Sequence, residues 1–271
     1  YTVRISKEGF LAVEQEVTLR WGERILLNVS LVEIPSPTAL LEEPIEFPTG
    51  DPKGQYVFYL GNSGKTLYRL DVTKEGEPEA ITPDRFSGLT NVVFSPDRQL
   101  AILQDSTNTY LYDFKRYDLL NQEQFDWGEG IKDVAWSPDG EKIAYYFAPK
   151  TGEKSIILSS KDHEDIQRLY TFKGEDITRP RLYFSPDGKT TIIADKNLYA
   201  LDVAKKELST LIESDKTITD ARYTADGDAL IYEAVGGLTL YDLKSKKQTS
   251  LGDGTLAQLI LDSDRLTLVG Q

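Results

Sequence analysis

The chain has 271 residues, 28% charged and 39% hydrophobic, with a net charge of −13, no cysteine, no methionine and one histidine, His163. That balance supports a core for one or two domains, and the acidity argues against nucleic acid and anionic lipid, which select a basic face. Lack of Cys excludes disulfides, thiolate nucleophiles and thiolate zinc sites, one imidazole excludes any site needing two, and no run approaches the roughly 20 apolar residues of a membrane helix.

Tyr1 opens the chain and Met is absent, so the sequence reads as a processed protein or a piece of a longer one. Tyr1 to Phe10 alternates and has no apolar stretch of the signal-peptide kind. Three strands are expected over residues 1–34: Tyr1 to Phe10, Val13 to Arg20 and Ile25 to Val32, with Gly9 and Gly22 at the connections. Asn28-Val29-Ser30 matches a glycosylation sequon but falls inside the third of these strands. The run Tyr1-x-Val3, Lys7-x-Gly9-Phe10, the Gly22-Glu23 turn and Leu27-Asn28-Val29-Ser30-Leu31 together resemble the C-terminal half of a PEGA domain. That family consists of small β-domains common in bacterial and archaeal envelope proteins. The resemblance implies a partial β-module over 1–34 whose Pro-Glu-Gly-Ala segment is absent. Pro35 and Pro37 then favour extended backbone and make 35–38 a short, stiff linker.

From residue 39 a repeat takes over. Its marker is an apolar or aromatic residue followed by a tight turn: Phe94-Ser95-Pro96-Asp97, Trp136-Ser137-Pro138-Asp139-Gly140, Phe184-Ser185-Pro186-Asp187-Gly188 and Tyr223-Thr224-Ala225-Asp226-Gly227. A looser copy, Phe47-Pro48-Thr49-Gly50-Asp51-Pro52-Lys53-Gly54, precedes them, and a degenerate one, Leu261-Asp262-Ser263-Asp264-Arg265, follows. Proline presets φ for the turn, Asp tolerates the next position, and Gly takes the left-handed conformation that closes a hairpin. Alternating segments such as Lys142 to Phe147 and Thr191 to Ala194 lead out of the turn. A Tyr-rich strand comes next, as in Leu67 to Asp71, Tyr110 to Asp113, Leu198 to Asp202 and Leu240 to Asp242, with Ile156 to Ser160 in the third unit. A weaker fourth strand follows, as in Lys206 to Leu211 and Lys247 to Leu251. Leu119 to Gln124 reads as no more than a loop turn. Four short strands per unit of about 42 residues predict β-propeller blades.

These Phe-Ser-Pro-Asp-Gly units resemble the WD40-like repeats of TolB-type proteins. The resemblance implies an all-β, six-unit propeller over 39–271, with four-stranded blades. The sixth blade is expected to be incomplete, because the turn Asp and strand Asp stand 15 or 16 residues apart in the units starting at Asp97, Asp187 and Asp226, and that distance from Asp264 passes Gln271. Loss of outer strands beyond Gln271 is preferred to closure of the ring by Ile25 to Val32.

The motifs that suggest catalysis are poorly formed. Gly61-Asn62-Ser63-Gly64-Lys65-Thr66 lacks the leading glycine of a phosphate loop, which would stand at Tyr59, and Gly188-Lys189-Thr190 fails likewise at Tyr183. No Gly-x-Ser-x-Gly elbow exists, and His163 lies in the polar run Ser160 to Asp165. Asp226-Gly227-Asp228 and Asp262-Ser263-Asp264 are too short for a calcium site, and the recurring aspartates have turns to cap. No catalytic, cofactor or metal residue is assigned, and the ligand-binding residues are left open. The resemblance implies a non-enzymatic, extracytoplasmic envelope or surface protein whose propeller binds a protein or glycan. The alternatives are the non-catalytic propeller of a larger prolyl-oligopeptidase-like hydrolase, or a structural part of a surface layer.

Overall fold

The structure is a computed structural model. It describes all residues except 19, 23, 35–40, 42–43, 52, 62, 83–85, 87, 115–117, 120–129, 175–176, 225, 257–258, 263–264 and 269–271. The chain divides into two compact units, Tyr1–Pro44 and Ile45–Gln271. The expected linker 35–38 lies outside the described residues.

In the first unit β1 (Thr2–Ile5) pairs antiparallel with β2 (Val13–Glu16). The third expected strand, Ile25 to Val32, is not one. Among the described residues its end meets the chain near Gly9 to Leu11, where Leu11 N–H donates to Val32 O and, just beyond the segment, Ile34 N–H donates to Gly9 O and Phe10 bridges Glu33. Its alternation is real, with Leu27, Val29 and Leu31 half-buried and Asn28, Ser30 and Val32 exposed, but alternation sets a face and does not supply a ladder partner.

The second unit is a series of antiparallel meanders. Blade 1 holds β3 (Glu46–Gly50), β4 (Tyr56–Gly61), β5 (Thr66–Asp71) and β6 (Glu79–Ala80). Blade 2 holds β7 (Asn91–Phe94), β8 (Leu100–Gln104), β9 (Thr109–Asp113) and β10 (Asp118–Leu119). Blade 3 holds β11 (Ile131–Trp136), β12 (Lys142–Phe147), β13 (Ser155–Ser160) and β14 (Gln167–Thr171). Blade 4 holds β15 (Arg181–Phe184), β16 (Thr190–Ala194), β17 (Leu198–Asp202) and β18 (Glu207–Ile212). Blade 5 holds β19 (Ile218–Tyr223), β20 (Ala229–Ala234), β21 (Gly237–Asp242) and β22 (Gln248–Gly252). The sixth sheet consists of β23 (Leu259–Asp262) and β24 (Arg265–Leu268), and among the described residues β24 pairs with β23 alone. So the expected six units stand, and among the described residues five have four strands and the last has two. One detail is corrected: Leu119 belongs to a short strand, β10, which pairs with β9 opposite Tyr112. Residues 120–124 of that expected loop lie outside the described residues.

Period-two alternation explains how the blades stack. On β8, Ala101 and Leu103 enter the core against Phe58, Leu60 and Leu67 of blade 1, while Ile102 enters the core shared with blade 3. On β12, Ile143 and Tyr145 face blade 2, and Ala144 and Tyr146 face Leu182 and Ile193 of blade 4. On β20, Leu230 and Tyr232 join Ile192 and Leu198 of blade 4, and Ile231 packs on Leu256. Both faces of each central strand are therefore buried, which accounts for its nearly unbroken apolar run.

The turns repeat atom by atom. Ser95 Oγ donates to Asp97 Oδ1 at 2.7 Å, while the N–H groups of Gln99 and Leu100 donate to Asp97 Oδ1 and Ser95 Oγ. Ser137–Asp139, Ser185–Asp187 and Thr224–Asp226 make the same bonds. The closing position has φ of 73° at Gly140 and 71° at Gly188, and Arg98 adopts 59° in the one copy without glycine.

Candidate functional site

The innermost strands β7, β11, β15 and β19 carry one recurring polar position. Asn91, Asp133, Arg181 and Asp220 each stand four residues before the Ser or Thr of the turn. Aligning the repeats on the turn would have revealed this column, because the strand positions around it are largely apolar. Asp133 is buried, and its Oδ2 accepts the Leu182 N–H at 2.7 Å while its Oδ1 accepts from Arg181 at 3.3 Å. Burial pushes its carboxyl up to about 7, against the pull of the Arg181 guanidinium. Tyr183 donates its hydroxyl to Asp220, which also accepts the N–H of Ala221, and Arg222 lies 3.9 Å from the same carboxylate. Burial first, and the Asp220 charge second, hold the Tyr183 phenol far above its ordinary value. In blade 2, Asn91 Nδ2 donates to Gln104 Oε1 at 2.9 Å.

Two cavities share Asn91, Asp133 and Arg181. One, of about 470 Å³, lies on the side of the Ser-Pro-Asp-Gly turns and is walled by Val93, Phe94, Trp136 and Phe184 with Arg98 and Arg222. The other, of about 530 Å³, lies toward the opposite loops and is edged by Asp105, Lys132, Lys154 and Arg179. Those loops are fixed by aspartates. Asp195 accepts the N–H groups of Thr178 and Arg179 at 2.7 and 2.9 Å, and Asp105 accepts those of Thr107 and Asn108 and the Tyr110 hydroxyl. Lys154 Nζ donates to Ile177 O at 2.6 Å.

Where they are described, the motifs weighed from sequence lie apart from these cavities; Asn62 and, in the Asp262-Ser263-Asp264 run, residues 263 and 264 lie outside the described residues. Gly61 to Thr66 is the hairpin between β4 and β5, where Gly64 N–H donates to Gly61 O and Gly64 O accepts from Leu89. Gly188 to Thr190 closes the turn into β16. His163, with φ of 60°, sits in the β13–β14 turn, half-buried, with Nε2 3.4 Å from the Tyr145 hydroxyl. Although it lies in a polar run, it packs near the Tyr145 ring, and burial lowers its imidazole. Ser160 donates to Asp162 and accepts the N–H groups of Glu164 and Asp165, so its hydroxyl is engaged in capping the turn. Asp226 caps its own turn by accepting from Thr224 Oγ1 and Asp228 N–H. Among the described residues, no group of three or more His, Cys, Asp or Glu side chains could hold a metal ion, and no helix is long and apolar enough to cross a membrane.

No family model matches the chain. It is 29% identical over 136 residues to dipeptidyl-peptidase 5 of Porphyromonas gingivalis, a match covering 47% of this chain and 20% of that enzyme. Among solved structures, a putative TolB from Agrobacterium tumefaciens superposes with a TM-score of 0.59 at 20% identity, covering 79% of this chain and 84% of that one. A chain of the nidogen/laminin complex superposes at 0.60 and 14% identity, covering 78% and 80%. TolB from Acinetobacter baumannii superposes at 0.55 and 17% identity, covering 78% and 53%. Identities this low carry the architecture and nothing further. In fold, residues 45–271 form a TolB-like β-propeller.

Proposed function

We propose that the chain is a non-catalytic, extracytoplasmic binding module in which the propeller presents a rigid loop face to a protein partner. The observation that carries this reading is the recess of about 530 Å³ on the inner-strand axis, edged by the cations Lys132, Lys154, Arg179 and Arg181 in a chain of net charge −13. Its rim is held by Asp105 and Asp195 rather than left to loop motion, so a partner meets a preformed surface with little ordering cost. Residues 1–34 are an envelope-type β-module of the PEGA kind, 35–38 are the connector, and a glycan is the second ligand class the face accommodates.

A second reading is favoured by the match to dipeptidyl-peptidase 5: the chain is the propeller portion of a larger peptidase. The chain spans a fifth of that enzyme, so the reading concerns a role beside a catalytic domain and not an activity of these residues. Assays of the protein purified from its native source, on peptide, ester and glycoside chromogenic substrates, separate the two. Binding without chemistry gives no turnover, whereas dipeptide release establishes the peptidase reading. Turnover by the 271-residue chain itself, lost on a single substitution, contradicts both.

A further inference from the structure

The cavity on the turn side adds Arg98 and Arg222, which the loop-face reading does not use, to the Arg181 that the two recesses share. Of its charged lining residues, Arg98, Arg181 and Arg222 are cationic and only Asp133 is acidic. Three guanidiniums around one recess are unexpected in a chain with 44 acidic and 31 basic residues. Two of the three heads remain reachable, the Arg181 side chain being 50% exposed and that of Arg222 42%. Their present partnerships are loose: one Arg181 nitrogen lies 3.3 Å from Asp133, and Arg222 lies 3.9 Å from Asp220.

Arg98 is placed more firmly. Its Nε donates to Gly50 O and one Nη to Ser95 O, and the guanidinium lies 5.8 Å from the centre of the Phe94 ring. It holds this position at φ of 59°, where the other three Asp turns have glycine. A left-handed backbone is disfavoured for a non-glycine residue, so the backbone of this turn suits glycine better. The arginine gives the cavity a cation at that cost.

Beside these charges and the polar Asn91 and Tyr183, the walls include the apolar Val93, Phe94, Trp136 and Phe184. The volume, about 470 Å³, falls in the range of roughly 300–1,000 Å³ typical of small-molecule sites. Guanidinium forks match carboxylates two hydrogen bonds at a time, and aromatic walls favour a flat apolar body.

We propose that this cavity binds a small carboxylate carrying an apolar, ring-sized body, with Arg222 and Arg181 on the carboxylate and Arg98 fixing the far side of the charge. A free phosphate would satisfy the guanidiniums and leave the apolar walls wet. The site shares Arg181 with the loop-face recess, whereas Arg98 and Arg222 line the turn-side cavity and not that recess, so variants at these two test the proposal separately from the protein-binding reading.

Calorimetric titration of the whole 271-residue chain at low salt tests this, with phenylacetate as probe and phenylacetamide and inorganic phosphate beside it. Phenylacetate is expected to bind with one site per chain, and both comparison ligands about tenfold or more weaker. Arg222→Gln and Arg98→Gly are each expected to weaken phenylacetate by about tenfold, with a cooperative melt showing that each variant is folded. No binding up to about 20 mM phenylacetate, equal binding of the amide or of phosphate, or unchanged affinity in both variants overturns the proposal.

Discussion

Lys206 and Lys246 hold φ of 60° and 58° in the turns after β17 and β21, fixed by N–H bonds to Asp202 O and Asp242 O. Both are exposed, so no packing offsets the left-handed backbone. Lys206→Gly and Lys246→Gly should each raise stability by about 0.5–1 kcal/mol, read as a higher denaturant midpoint, after subtracting the entropic cost of glycine. Asp133 behaves in the opposite sense. Its folded carboxyl is raised from 3.8 to about 7, so its contribution is present below pH 3.8 and is lost as pH rises through about 7. His163, lowered by burial, works against this, its contribution being lost as pH falls below the ordinary 6.5. The comparison of parent with Asp133→Asn isolates the carboxylate: between pH 4 and pH 8 the melting temperature of the parent should fall relative to the variant. A constant difference across that range would show that Asp133 is ionised throughout.

At the scale of the element, inner strands and turns divide the work. Trp136 closes β11, is buried between blades 2 and 3, and donates its indole N–H to Val93 O at 3.0 Å. Trp136→Ala should cost about 3–5 kcal/mol by thermal or denaturant unfolding, and Trp136→Phe much less, since the ring is largely kept. In the turns, hydroxyl bonds from Ser137, Ser185 and Thr224, followed by backbone N–H groups, hold Asp139, Asp187 and Asp226 below the ordinary 3.8. Depressed carboxyls stabilise the fold above that value and cease to do so as pH falls through their folded values. Melting temperature should therefore drop steeply below about pH 4, and the triple Asp→Asn variant should melt lower at neutral pH with a shallower acid limb. These elements were legible in sequence because turn chemistry and period-two alternation are local. Ile25 to Val32 shows the limit of that legibility, since its alternation was visible but its lack of ladder partners was not.

At the scale of the molecule, what sequence reasoning missed was the polar column of Asn91, Asp133, Arg181 and Asp220. The residues that meet there come from different repeats: Arg181 reaches Asp133 across 48 positions and Tyr183 reaches Asp220 across 37. Taken singly, each looks like an ordinary polar residue on a strand, and only the stacking of blades brings them together. The turn-side arginines were hidden in the same way, Arg98 and Arg222 standing at different positions of their repeats.

The central claim is that a protein partner docks on the loop face around Arg179. A photoreactive residue placed at Lys132 or Arg179, and at the outer-strand position Ser250 for comparison, tests it in the cells that make the protein. The account expects one discrete protein adduct from the two loop-face positions and none from Ser250. Equal labelling from all three positions, or a discrete adduct from Ser250 alone, would contradict it.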